Sequence, residues 1–68
     1  MKISVSGETI EVENVSSINE LLAKIGIEST KNGIAVARNG SIVPKARWER
    51  EAVNSGDVFE IVRASQGG

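Results

Sequence analysis

Polar and apolar positions alternate over Lys2–Ser6 and again over Thr9–Glu13. This puts Ile3, Val5, Ile10 and Val12 on one side of a two-stranded hairpin, with its turn expected near Gly7-Glu8. The period then changes: Ile18, Leu21, Leu22 and Ile25 fall at helical spacing and form a single apolar stripe. Ser17-Ile18-Asn19-Glu20 fits a capping box, in which the serine hydroxyl accepts from an early helical amide and the glutamate reaches back to the cap amide. Gly26 supplies the left-handed stop, so a short amphipathic helix is predicted. The polar stretch Glu28–Gly33 then returns the chain to the sheet. Asn39-Gly40 favours a two-residue type I′ turn, pairing Arg38 with Ser41, Ala37 with Ile42 and Val36 with Val43. Val36 and Val43 share one face; Ala35, Ala37 and Ile42 point the other way. Pro44 has no amide donor and ends the strand. Beyond Trp48 and its charged neighbours, Asn54-Ser55-Gly56-Asp57 turns the chain into a last strand from Val58 to about Arg63, with Phe59 and Ile61 on one face and Glu60 and Val62 on the other. The order predicts an α+β domain in which one helix crosses a mixed sheet of four to five strands.

Length and composition narrow the chemistry. A chain of 68 residues suffices for one small domain, which we place at residues 1–63, followed by a tail over 64–68 with no large apolar side chain to dock. Cysteine, histidine and tyrosine are absent. The usual zinc ligands, the base of a catalytic triad and the thiol nucleophile are therefore missing, so no catalytic or metal-binding residue is assigned and the chain is not expected to be an enzyme. A net charge of -1 provides no basic excess for nucleic acid. The longest apolar run, Ile34–Ala37, is far short of a membrane span, and Met1-Lys2-Ile3 does not begin a secretory signal, so a soluble cytoplasmic protein is expected. Lys45, Arg47 and Arg50 are interleaved with Glu49 and Glu51, which reads as a solvated charged loop, and Trp48 reads as a lid over one end of a thin core.

The candidate chemistry lies at Gly67-Gly68. Residues without Cβ atoms enter a slot too narrow for other side chains and leave a terminal carboxyl group unhindered. Five extended residues carry that group roughly 16 Å beyond the sheet, far enough to reach another protein's buried active centre. Such a tail is a substrate rather than a catalyst.

A β-hairpin, one helix, two more strands, a Gly-Asp turn before the last strand and a terminal diglycine together resemble the ubiquitin-like β-grasp fold over the whole chain. Within that group, Ala35-Val36-Ala37-Arg38-Asn39, Ile42-Val43-Pro44-Lys45 followed by Trp48, and Ser55-Gly56-Asp57 resemble the ThiS family of thiamin-biosynthesis sulfur carriers. The resemblance implies that the Gly68 carboxylate is adenylated with ATP and Mg by a ubiquitin-activating-type adenylyltransferase (ThiF-like) and then converted to a thiocarboxylate. Gly67 serves tail recognition. The sulfur comes from a donor such as a cysteine desulfurase or rhodanese and passes to a thiazole synthase (ThiG-like). No permanently bound cofactor is implied. The sheet face opposite the helix becomes the candidate docking surface, with Ala37, Ile42, Val62 and Ala64 at its centre.

Two alternatives stay open at this point. The same carrier chemistry can serve molybdopterin synthesis or tRNA thiolation. A ubiquitin-like protein-binding module, by contrast, uses the sheet face and never activates its end.

Overall fold

The structure is a computed structural model and describes residues 1–27 and 33–63. The chain runs β1 (Lys2–Val5), β2 (Glu8–Glu11), α1 (Ile18–Lys24), β3 (Ile34–Arg38), β4 (Ser41–Val43), a single 3-10 turn (Lys45–Arg47) and β5 (Val58–Arg63). The strands form one five-stranded sheet in the order β2-β1-β5-β3-β4. β1 and β5 are parallel and the other pairs are antiparallel, so the sheet is mixed, as expected.

The first hairpin differs from its sequence reading by one position. Its turn residues are Ser6 (φ 50) and Gly7 (φ 87), so β2 begins at Glu8 and Val5 lies opposite Glu8. A two-residue turn of this hand requires positive φ at both positions, and serine rather than glutamate takes the first of them. The strand also ends at Glu11 instead of Glu13. The apolar side survives the shift: Ile3 and Val12 are buried, and Val5 and Ile10 pack against the core. The second hairpin has the predicted register, Val36↔Val43, Ala37↔Ile42 and Arg38↔Ser41, across Asn39 (φ 51) and Gly40 (φ 87).

Helix α1 starts and stops on local signals. The Ser17 hydroxyl accepts from the Glu20 amide at 3.2 Å. Glu20 reaches one residue further back than a capping box requires, accepting from both the amide (2.8 Å) and the hydroxyl (3.0 Å) of Ser16. Those hydrogen bonds hold the Glu20 carboxyl below its ordinary range. The Ser17 amide is thus left out of the expected reciprocal pair. At the other end the Gly26 amide donates to Ala23 and the Ile27 amide to Leu22, a Schellman closure around Gly26 at φ 85.

The buried core joins Ile18, Leu21 and Leu22 of α1 to Ile3, Val36, Val43 and Phe59 of the sheet, with Val12, Val15, Trp48 and Val53 at its margins. Trp48 is buried in this core, and its indole N–H donates to the Val43 carbonyl at 2.9 Å. The carbonyls of Trp48 and Glu51 accept from the Asn19 and Ile18 amides, so this irregular segment also satisfies donors that the start of α1 would otherwise leave unpaired. Among the described residues, no buried side-chain nitrogen or oxygen lacks a partner.

Candidate functional site

Strand β5 sits in the middle of the sheet and leads to the predicted tail. β1 flanks it at Ser4↔Val58 and Val5↔Phe59, and β3 flanks it from Arg38↔Phe59 to Ile34↔Arg63. Phe59 is fully buried. Arg63 is the last described residue; Ala64, Gly67 and Gly68 of the sequence reading lie outside the described residues.

The other three predicted docking residues share the sheet face turned away from α1. Ala37 pairs with Ile42 on one side and Glu60 on the other, and Ala35 pairs with Val62. Ile42 is 71% exposed and Val62 62% exposed, the largest values among the large apolar side chains described. Val58, 48% exposed, belongs to the same face. The docking assignment omitted it, although strict alternation from Val62 through Glu60 identifies it. The surface therefore consists of small and branched apolar side chains with one carboxylate, Glu60, among them. The two alanines keep it low, which lets a partner backbone approach closely.

A polar clasp lies at the end of the sheet where β5 starts. The sequence reading marked Asp57 only as the end of a turn. In the fold its Oδ2 accepts from Arg38 Nε at 2.9 Å and from the Asn54 amide at 2.8 Å, while Oδ1 accepts from Asn39 Nδ2 at 3.2 Å. Burial alone would raise the Asp57 carboxyl, but the Asn54 amide, Arg38 and Asn39 outweigh it and hold the group below its ordinary range. The bond to Asp57 in turn raises Arg38. Glu51, expected in a solvated loop, is mostly buried: it accepts from Arg38 at 3.2 Å and from Arg47 at 3.0 Å, with its side chain 17% exposed. Asn39 completes the clasp with its side-chain oxygen, which accepts from the Val58 amide at 2.9 Å, while its own amide donates to the Val58 carbonyl at 2.7 Å. The network fixes the β3–β4 turn against the start of β5, so every carboxylate in it has a structural task. Among the described residues, no group of three or more Asp or Glu side chains could hold a metal ion, and no helix is long and apolar enough to cross a membrane.

A five-stranded mixed sheet crossed by one helix, with β5 central, parallel to β1, and a hairpin on each side of it, defines the ubiquitin-like β-grasp class. The crystal structure of a thiamine biosynthesis protein (ThiS) from Geobacter metallireducens superposes on it with a TM-score of 0.81, covering all of both chains at 23% identity. An NMR solution structure of a thiamine biosynthesis protein from the same organism gives 0.79 over all of this chain and 88% of that one. At this identity the likeness is one of fold. The sequence settles the family: the ThiS family model matches residues 2–68, and the chain belongs to the ThiS family. It is also 40% identical over 68 residues to a thiazole synthase of Paramagnetospirillum magneticum, and spans 20% of that relative's length.

Proposed function

We propose that this protein is a sulfur carrier for thiazole formation in thiamin biosynthesis, acting as a substrate through the Gly68 carboxyl group. The observation that carries the reading is the ThiS family match, which runs through the diglycine to residue 68. The likeness to a thiazole synthase supports the choice of pathway over molybdopterin synthesis or tRNA thiolation. In the first step a Gly68 carboxylate oxygen attacks the α-phosphorus of MgATP on an activating enzyme, and pyrophosphate leaves. A sulfur nucleophile at the oxidation level of hydrosulfide then adds to the carbonyl carbon and expels AMP, leaving a thiocarboxylate. After the sulfur is passed on within a thiazole synthase, water restores the carboxylate. ATP and magnesium are consumed on the activating enzyme, and this chain contributes the acyl group.

The folded body supplies recognition. The apolar face around Ala37, Ile42 and Val62 is the docking surface for the activating enzyme, and Gly67 lets the end enter a narrow slot. The absence of cysteine fits a protein that holds its sulfur as a main-chain thioacid, since a neighbouring thiol would intercept the activated acyl group.

The test is intact mass after incubation with MgATP, an activating enzyme and a sulfur source. The expected result is the gain of one oxygen-to-sulfur exchange confined to Gly68, abolished by adding one alanine after Gly68. Unchanged loading of the extended chain would refute the reading. An extended chain that no longer loads but still binds its partners would show that the end is chemical rather than adhesive.

A further inference from the structure

A cleft of about 270 Å³ opens on the helix side of the sheet, away from the docking face described above. It exists because two neighbouring strands end at different places. β1 stops at Val5, opposite Phe59, whereas β5 continues to Arg63. Among the described residues, the overhang of β5 has no strand beside it on the β1 side. Ser6 makes the connection there, its amide donating to the Phe59 carbonyl at 2.8 Å and its hydroxyl accepting from the Ile61 amide at 3.3 Å. The cleft walls are Val5, Ile10, Ile25, Ile27 and Ile61, with Arg63 at the tail end. Glu8, opposite in charge to Arg63, also lines the cleft.

Residues 28–32 read Glu-Ser-Thr-Lys-Asn and residues 64–68 read Ala-Ser-Gln-Gly-Gly, so neither carries an apolar side chain larger than a methyl group. Geometry places any receiver of the tail close by. Arg63 lines the cleft, and the five residues that follow it span at most about 17 Å when fully extended. A protein that takes up the Gly68 carboxyl group therefore has its body within reach of the cleft.

We infer that the cleft receives one large apolar side chain of the thiazole synthase, an anchor at the tail root separate from the sheet face. The inference rests on the carrier reading above. Of the tail's two receivers, the thiazole synthase is the one for which a relative contains a stretch similar to this chain, one fifth of its length. The arrangement predicts an apolar residue flanked by an acidic group to meet Arg63. Burying such a side chain is expected to tighten binding about ten- to a hundredfold.

Isoleucine methyl NMR tests this without altering the protein. Ile10, Ile25, Ile27 and Ile61 report on the cleft, Ile42 on the sheet face, and Ile3 and Ile18 on the interior. Titration with the thiazole synthase is expected to shift the cleft methyls and to give cross-peaks from them to the partner. Unmoved cleft methyls beside a shifted Ile42 would overturn the inference, as would a cleft that responds to the activating enzyme but not to the synthase. As a second arm, Ile10→Glu, checked for an unchanged fold by circular dichroism, is expected to weaken synthase binding by the same factor; full affinity would again overturn it. Thiocarboxylate formation by mass is read separately, so failure of the carrier reading shows as absent loading whatever the cleft methyls do.

Discussion

Replacing Asp57 by asparagine tests the clasp that joins the β3–β4 turn to β5. The amide keeps the shape but presents one oxygen and one NH2 group. If the oxygen stays toward Arg38 and Asn54, the NH2 group faces the Asn39 donor, and the 3.2 Å bond is lost. The 2.8 Å bond from Asn54 becomes a neutral one, and the 2.9 Å bond from Arg38 keeps its charged donor but no longer joins two opposite charges. One neutral hydrogen bond is worth about 1 kcal/mol and the loss of charge assistance about 0.5–1.5 kcal/mol per bond. The Arg38 side chain is 24% exposed and the Asp57 side chain 9%, so solvent screening favours the lower part of that range. The sum is about 2–3 kcal/mol. A domain of 68 residues holds only about 3–10 kcal/mol in all, so the variant loses a large share and its Tm falls by roughly 10–20 °C.

The same calculation fixes a pH dependence. The folded-state pKa of Asp57 is lowered below its ordinary value of 3.8. Its contribution is therefore complete above that value and is lost as pH falls through the lowered folded one. Asp57→Asn has no such titration, so the stability gap between the two proteins is expected to be full at neutral pH and smaller at about pH 3, below the ordinary value of 3.8. Urea unfolding followed by the fluorescence of Trp48, the single tryptophan, measures both proteins at both pH values. A gap of equal size at the two pH values, or one below about 0.5 kcal/mol at neutral pH, would refute the role given to the carboxylate.

Three further outcomes follow from single contacts. Gly40→Ala is expected to cost about 1–2 kcal/mol in thermal unfolding through backbone strain alone, because φ is +87 and an added Cβ meets nothing within 4 Å. Trp48→Phe removes the 2.9 Å bond to the Val43 carbonyl and part of the core lid, which should lower stability by about 1–3 kcal/mol in a circular dichroism melt. Ile42→Asp lies on a 71% exposed side chain and should leave stability within about 0.5 kcal/mol, while raising the KM for loading by the activating enzyme with little change in kcat.

What was readable in the chain is what neighbouring residues encode. Asn39-Gly40 carries both positive-φ positions of its turn, and the register followed from it without error. Ser17 and Gly26 mark the two ends of α1 within one turn of the residues they cap. Ser6-Gly7 was misplaced because serine gives no signal for φ 50; the tertiary bonds from Ser6 to Phe59 and Ile61 favour that conformation. The clasp was illegible for the same reason at longer range. Arg38 meets Glu51 and Asp57 across separations of 13 and 19 positions, and only the pairing of β3 with β5 brings them together. Alternation gave the exposed face, whereas the cleft depends on β1 ending four residues before β5 does, a relation between two strands that neither sequence states.

The central position of β5 ties these features to the proposed chemistry. Two hairpins and a lone strand do not specify where the lone strand goes, and an edge position would leave all of that strand, its start included, paired on one side only. Here β5 is held by β1 at its start and by β3 from Phe59 to Arg63, with Phe59 fully buried between them. Opening this segment means breaking the middle of the sheet, so it belongs to the most stable part of the fold. The position available to the Gly68 carboxyl group is then bounded by five residues from Arg63, which β3 holds in register with Ile34. An enzyme that must align that group within a fraction of an ångström needs to restrain only those residues, and apolar surfaces on both faces of β5 offer it places from which to do so.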